Sequence, residues 1–232
     1  VKFKIKINNL SRDSVVIGNQ ECPPWPVYLL AWTTTPWTLP GNVALAIGKD
    51  IEYSIREDNE KKEVIIRASD SPVGKELGSN RRVYGRDLIG LEYEPLFQVE
   101  GIVSHPQAHK VYAADFVNTD EGTGIVHTAV VYGEDDYNLG LREGIPVVPM
   151  LDERGHFNDK APEFLRGQYF KKADGLVKND LNERGLLFCK EIHAHSYPHC
   201  WRCGNALFYN AIPAWFVNVQ KIKKKLIAEN AK

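Results

Sequence analysis

No apolar run in this chain approaches the ~20 residues that a membrane-spanning helix requires, and the opening Val1-Lys2-Phe3-Lys4 lacks the charged-then-apolar layout of a secretion signal. A soluble, cytoplasmic protein with no membrane partner is expected. Excess charge is missing too: 29 Lys and Arg stand against 30 Asp and Glu, a formal net charge of -1. That balance excludes a chain whose task is to grip nucleic acid by charge alone, because neutralising phosphates takes a surplus of cations. Cysteine is scarce. Of four in 232 residues only Cys200 and Cys203 lie close together, which is no disulfide framework for a chain this long and fits a reducing compartment. The single methionine is Met150 and the first residue is Val1, so the chain reads as a piece of something longer. No internal repeat and no low-complexity linker interrupts it.

What is present describes an ordinary globular protein, 43% hydrophobic and 25% charged, able to bury a sizeable core in one domain or in one domain with an appendage. Val1, Phe3, Ile5 and Ile7 alternate with Lys2, Lys4 and Lys6, a period of two that predicts a half-buried strand with a basic outer face. Further strands are expected over residues 27–32, 43–47, 64–68, 110–116, 124–128 and 186–190. The polar stretch 57–63 reads as a hairpin tip, and Arg81-Arg82 as part of a loop. Helical signals cover residues 135–143, 173–184 with a stop at Gly185, and 219–232, where Val219, Ile222 and Leu226 recur at helical spacing. Many short strands with few helices predict a mainly β fold with some α: a closed or nearly closed β-barrel carrying peripheral helices. A boundary is expected near His193. It separates a barrel domain, residues 1–192, from a segment rich in His, Cys and aromatics that ends in a lysine-rich helix, residues 193–232.

Two stretches carry chemistry. Thr33-Thr34-Thr35-Pro36-Trp37-Thr38-Leu39-Pro40-Gly41-Asn42 follows an apolar strand. Pro36 pushes Thr35 toward extended geometry, so Thr33 and Thr35 should face one side and Thr34 the other. By itself the run is equally a barrel corner or a binding loop. The second stretch is Glu121-Gly122-Thr123-Gly124-Ile125-Val126-His127-Thr128-Ala129, followed by Gly133-Glu134-Asp135-Asp136-Tyr137. As a dinucleotide loop it fails, because His127 stands where the third glycine of the pattern belongs. A core histidine and a carboxylate that caps a helix are the plain alternatives to a functional pair.

Read together with Gly90-Leu91-Glu92-Tyr93-Glu94-Pro95-Leu96-Phe97 and Tyr197-Pro198-His199-Cys200-Trp201-Arg202-Cys203, these blocks follow one order. That order closely resembles the editing insertion of class I isoleucyl-tRNA synthetases, over nearly the whole chain. Related valine enzymes look like Thr-Thr-Arg-Pro-Glu-Thr at the first block and carry Lys where His127 stands; leucine enzymes look like Thr-Thr-Arg-Pro-Asp-Thr. One departure is visible: the family pattern His-x-Ala-Pro becomes His127-Thr128-Ala129-Val130-Val131 here, with the length up to Asp136 kept.

The resemblance implies hydrolysis of the ester between a misplaced valine and the terminal ribose of its tRNA. This enzyme family is the usual worked illustration of why such a step exists: an apolar pocket gains only ~1–3 kcal/mol from the one methylene that separates isoleucine from valine. Residue by residue, Asp136 would hold the α-ammonium of the misplaced amino acid. His127 would wall the side-chain pocket so that valine fits and isoleucine does not. Thr33, Thr34 and Thr35 would offer hydroxyls and amides to the terminal adenosine and the ester. Trp37 would pack behind them, Asn42 would brace the loop, and Gly124 and Asp135 would join the substrate-binding set. With no Ser or Cys in a recognisable pairing with a base, positioned water is the expected nucleophile.

The His-x-Gly-His and Lys-Met-Ser-Lys-Ser signatures of amino-acid activation are missing; Lys221-Ile222-Lys223-Lys224-Lys225 only superficially resembles the second. Activation with ATP and Mg is thus expected of a parent catalytic domain, and editing is expected to need no cofactor. Cys200 and Cys203 have metal-knuckle spacing, but a closed zinc site needs four ligands. His193, His195 and His199 are nearby candidates, and in relatives the pair meets another Cys pair upstream, which here would precede residue 1. The expected partners are the rest of the parent synthetase and the 3′ end of an isoleucine tRNA that carries valine, with the protein a monomer. Two other readings stay open on the sequence: a non-catalytic tRNA-binding or structural insertion whose editing has decayed, and a valine- or leucine-type editing domain.

Overall fold

A computed structural model of the protein describes residues 1–6, 14–73, 78–194, 196–211 and 214–231, with only the backbone of residues 78–80. Ten strands and three α-helices are described, in the order β1 (Lys2–Lys4), β2 (Val15–Ile17), β3 (Gln20–Cys22), β4 (Val27–Leu30), β5 (Ala44–Ile47), β6 (Glu52–Asp58), β7 (Glu63–Ala68), β8 (Gly78–Tyr84), β9 (Lys110–Ala113), β10 (Ile125–Thr128), α1 (Glu134–Glu143), α2 (Phe170–Glu183) and α3 (Val219–Asn230). The strands form a five-stranded sheet ordered β1-β4-β7-β6-β8, a three-stranded sheet ordered β10-β5-β9, and the ribbon β2-β3. The pairs β4–β7 and β5–β9 are parallel, and both lie where the sheets are most apolar. Every residue of β5 and β7 is buried, the pattern of strands covered on both faces.

Single bridges tie the two larger sheets together. Trp32, just past β4, pairs with Val126 of β10; Glu92 pairs with Lys110 of β9, and Tyr93 pairs with Ile5, just past β1. The end of β4 therefore runs beside β10, and the segment that follows β4 meets the segment that follows β10. Helix α2 closes this region from outside. Its buried Phe170, Ala173, Val177 and Leu181 recur at intervals of three and four, one apolar stripe, laid against a 3-10 turn, Pro36–Gly41. Helix α1 places Glu134, Asp135 and Asp136 in its first turn, at the positive end of its dipole, and ends on the left-handed Gly144. No residue of α3 is buried. Among the described residues, no helix is long and apolar enough to cross a membrane.

The mixed β architecture with added helices agrees with the sequence reading, and several elements differ from it. The stretch 186–190 is irregular where a strand was expected, although the carbonyl of Leu186 accepts from the Lys2 amide at 2.8 Å. Arg81 and Arg82 lie on β8, not in a loop, because each finds a carboxylate on β6: Arg81 pairs with Glu57, and Arg82 with Glu52 at 2.5 Å. Charge pairing across two strands can look like a polar loop when read along one of them. The hairpin tip is narrower than its polar stretch, since β6 runs to Asp58 and β7 starts at Glu63. Ile7 and Lys232, at the ends of an expected strand and helix, lie outside the described residues.

The expected basic face of β1 is also altered. Lys4 and Lys6 reach the exposed Glu94 and Glu92 region, but Lys2 is buried, 2.7 Å from Glu63 and over the Tyr28 ring. A buried ion pair is costly to halve, because the survivor is left charged and dry. Glu63→Ala is expected to lower the unfolding free energy by about 3 kcal/mol, read as a fall in urea midpoint at unchanged slope. The double change Lys2→Met with Glu63→Leu should recover most of that loss.

Candidate active site

Beyond Trp32 the chain bends at Thr34, where extended geometry was expected, and then enters the 3-10 turn at Pro36, whose fixed φ suits a first helical position. The threonines stitch this corner to itself. The Thr35 amide donates to Thr33 Oγ1 at 3.1 Å, and the hydroxyls of Thr33 and Thr35 lie 3.4 Å apart, so these two share a side while Thr34 is exposed. Thr38 donates its hydroxyl to the Thr35 carbonyl at 2.8 Å. Behind the turn, Trp37 is buried with its ring edge-on to Tyr132 and Phe170, each at 4.9 Å, and its amide donates to Asp174 of α2 at 2.9 Å.

Opposite lies the end of β10. His127 is 8% exposed and both its ring nitrogens are engaged: Nε2 lies 2.8 Å from Thr38 Oγ1, and Nδ1 lies 3.2 Å from Asn42 Nδ2. Burial pushes its imidazole down to about 4. It is neutral at physiological pH and has no free lone pair with which to take a proton. Gly124, at the start of β10, has a φ of +67°, and a Cβ there would come within 2.6 Å of Ala68, so only glycine lets β10 begin this close to the end of β7.

Asp136 enters from the first turn of α1. Its Oδ2 accepts from the Ala129 amide at 3.5 Å. Burial raises its carboxyl to about 7; the charge of Asp135 adds to the rise and the Ala129 hydrogen bond opposes it. A carboxyl poised there is the kind of group that functional clefts collect. The Val130 that replaces the familiar proline is itself buried and packs against Gly140 of α1, where a Cβ would lie 2.6 Å from its methyl carbon. Valine on glycine thus fixes the path from His127 to Asp136.

These pieces enclose a cleft of about 360 Å³ whose lining includes Thr33, Thr34, Thr35, Thr38, Gly124, His127 and Asp136. Asn42 and Trp37 are buried behind that lining, and Asp135 is exposed on the helix surface outside it. A second cavity of about 230 Å³ lies across the wall made by Trp32, Thr33 and Thr34, between that wall, Asp174 and Lys178 of α2, and Cys189. It contains neither His127 nor Asp136. The sequence reading overlooked Thr38 and Tyr93. Thr38 sits inside the quoted run without a role, and its offset of three from Thr35 becomes a contact only once the 3-10 turn is known. Tyr93 donates to Asn42 Oδ1 at 2.6 Å and carried no signal beyond its place in a block.

At the far end, backbone amides of Cys203 and Arg202 and the Cys203 thiol pull the Cys200 thiol below its usual range. Two cysteines are half of a closed zinc site. Among the described residues no three His, Cys, Asp or Glu side chains gather as a metal would need. His199 Nδ1 is 2.8 Å from the Tyr197 carbonyl, His193 faces Glu121 at 3.6 Å and the edge of Trp32, and His195 lies outside the described residues. Among the described residues the donor set does not complete a zinc site.

No protein-family model matches the sequence. Curated relatives do: the isoleucine–tRNA ligase of Clostridium tetani is 42% identical over 208 residues, which are 88% of this chain and 20% of that protein. That of Treponema denticola is 40% identical over 227 residues, 90% of this chain and 20% of the relative. The chain thus spans about 20% of the length of the relatives it matches. Among solved structures, GlLeuRS-CP1 superposes with a TM-score of 0.57 at 18% identity, over 72% of this chain and 86% of the other. The P. falciparum cytosolic leucyl-tRNA synthetase editing domain gives 0.53 at 12% identity, over 69% and 77%. At such identities the likeness is one of fold.

Proposed function

The chain belongs to the isoleucine–tRNA ligase family, matching about a fifth of its members' length over 88% of its own, and on that premise we propose that it is their hydrolytic editing domain, cleaving valine from mischarged isoleucine tRNA. The observation that carries this reading is the convergence, in one cleft, of the Thr33–Thr38 turn, the end of β10 at His127, and Asp136. Asp136 receives the α-ammonium of the misplaced valine, and the bound cation holds the carboxylate ionised although burial favours its proton. Thr33, Thr34 and Thr35 hold the terminal adenosine and the ester, with Trp37 and Asn42 supporting them from behind and Gly124 keeping the entrance small. His127 forms the side-chain wall. It is not the base, because its nitrogens are already hydrogen-bonded and its basicity is suppressed by burial.

The attacking group is water. Among the described residues the cleft lining contains no Ser and no Cys, and ester hydrolysis by positioned water needs only orientation and donors for the developing oxyanion. No metal or other cofactor takes part. Asp135, on the outer surface of α1, acts through its charge on Asp136.

Architecturally, we read the circuit β1-β4-β10-β5-β9, closed by the bridges at Trp32, Glu92 and Tyr93, as a small barrel confined to residues 1–192. Residues 193–232, with the exposed Trp201, Trp215 and Phe216, form the segment that rejoins the parent synthetase. There ATP and Mg would serve activation, and a second cysteine pair would complete zinc at Cys200 and Cys203. The partner is the tRNA 3′ end, held weakly by this piece and with strong salt dependence; the protein acts as a monomer in the cytoplasm.

Deacylation assays on the full chain with valyl, threonyl, isoleucyl and leucyl esters of tRNA test this reading. Turnover of the valyl ester with protection of the isoleucyl one is expected. No turnover of any ester would leave a binding module, and preference for another ester would move the chain to a different editing type.

A further inference from the structure

Six polar groups behind the cleft form a hydrogen-bond network whose direction can be read throughout. The Ala44 carbonyl can only accept, and it lies 2.9 Å from Asn42 Nδ2; this settles which way the Asn42 amide faces. Its Oδ1 then receives the Tyr93 hydroxyl at 2.6 Å, and its second N–H points at His127 Nδ1. A nitrogen that accepts carries no proton, so the proton of the neutral ring sits on Nε2 and is donated to Thr38 Oγ1 at 2.8 Å. Thr38 passes its own hydrogen to the Thr35 carbonyl at 2.8 Å. Tyr93 is fully buried, wedged edge-on between Phe3 and His109 at 5.4 and 5.6 Å, so its hydroxyl has little freedom to turn elsewhere. Burial also keeps that hydroxyl protonated and therefore a donor.

We propose that Tyr93 is a positioning residue for the cleft: through Asn42 it locks His127 in the Nε2–H tautomer, and the locked ring holds Thr38 and the turn of Thr33 to Thr35 in one arrangement. The inference rests on the editing reading for its kinetic consequence, though the tautomer itself does not. A ring free to exchange tautomers would present Thr38 alternately with a donor and an acceptor. In the second state the Thr38 hydroxyl would turn to Nε2 and release the Thr35 carbonyl, loosening the corner that the ester meets. Removing the Tyr93 hydroxyl leaves a buried amide oxygen without its donor, which disfavours the present Asn42 orientation.

The test uses the full chain labelled with 15N at histidine, alongside deacylation of the valyl ester. In the unsubstituted protein His127 should give a protonated Nε2 and an unprotonated Nδ1 across pH 6 to 8; a protonated Nδ1 would overturn the proposal whether or not the protein edits. Tyr93→Phe should mix or broaden these two signals and lower kcat by about tenfold with little change in KM. Unchanged signals and unchanged kcat would overturn it. Asn42→Asp replaces the donor at Nδ1 by an acceptor and should move the proton to Nδ1, a reversal that a merely packing role for Tyr93 and Asn42 would not produce. If either variant fails to fold, the unsubstituted spectrum and the other variant decide. An inactive protein with the expected tautomer would count against the editing reading and leave the lock standing.

Discussion

Asp136→Ala is expected to cut kcat/KM for the valyl ester by about 10²-fold, the scale of losing a charge-assisted contact that also orients the reacting bond. The same side chain makes a second, independent prediction about stability. Its carboxyl is raised by burial to about 7 in the fold, well above the ordinary carboxylate range, so the folded state holds this proton more tightly than the unfolded chain does. The stability it confers is complete below about pH 4, and it is lost as the pH climbs through about 7. Asp136→Asn mimics the protonated form. It should leave the urea midpoint unchanged at pH 4 and raise stability at pH 8 by on the order of 2–4 kcal/mol, while deacylation falls. A variant both more stable at pH 8 and poorer at hydrolysis would identify Asp136 as a group kept ionisable at a cost to the fold. Intact deacylation would remove it from the anchoring role.

The second large effect is a gain. His127→Ala should open the wall of the cleft enough for the isoleucyl ester to be cleaved, with a rate rising by about 10²-fold toward that of the valyl ester, since a single methylene of space separates the two substrates. The valyl rate should itself drop, because Thr38 and Asn42 both lose a partner. Parallel single-turnover assays on the two esters check this. Persistent protection of the isoleucyl ester would show that the discriminating wall lies elsewhere in the lining.

The cleft was legible in the sequence to the extent that its residues lie in continuous blocks. The threonine run, the glycine-flanked strand that ends in His127, and the acidic start of α1 each announce themselves by local chemistry, and the structure brings all three to one place. What stayed hidden depends on partners far along the chain. Strands β6 and β8 read as polar because their arginines and glutamates answer one another across the sheet. Lys2 reads as a surface charge until Glu63 is set against it, and stretch 186–190 reads as a strand although among the described residues no strand pairs with it. Thr38 and Tyr93 are silent for the same reason. Their partners are His127 and Asn42, one reached through a 3-10 turn that no periodicity marks, the other through an amide 51 residues away in sequence.

The bridge between Trp32 and Val126 has a consequence for how the molecule comes into being. It joins segments separated by the whole of the intervening β5 to β9 chain, so closing it demands that a long loop be drawn together before any local reward is felt. Hairpins such as β6–β7 can form early and alone; the threonine corner and Asp136 cannot meet until that long circuit shuts. On the editing reading, hydrolytic competence would then depend on closure of that circuit, and a nascent or partly opened chain would have no half-built cleft with which to attack a tRNA ester indiscriminately.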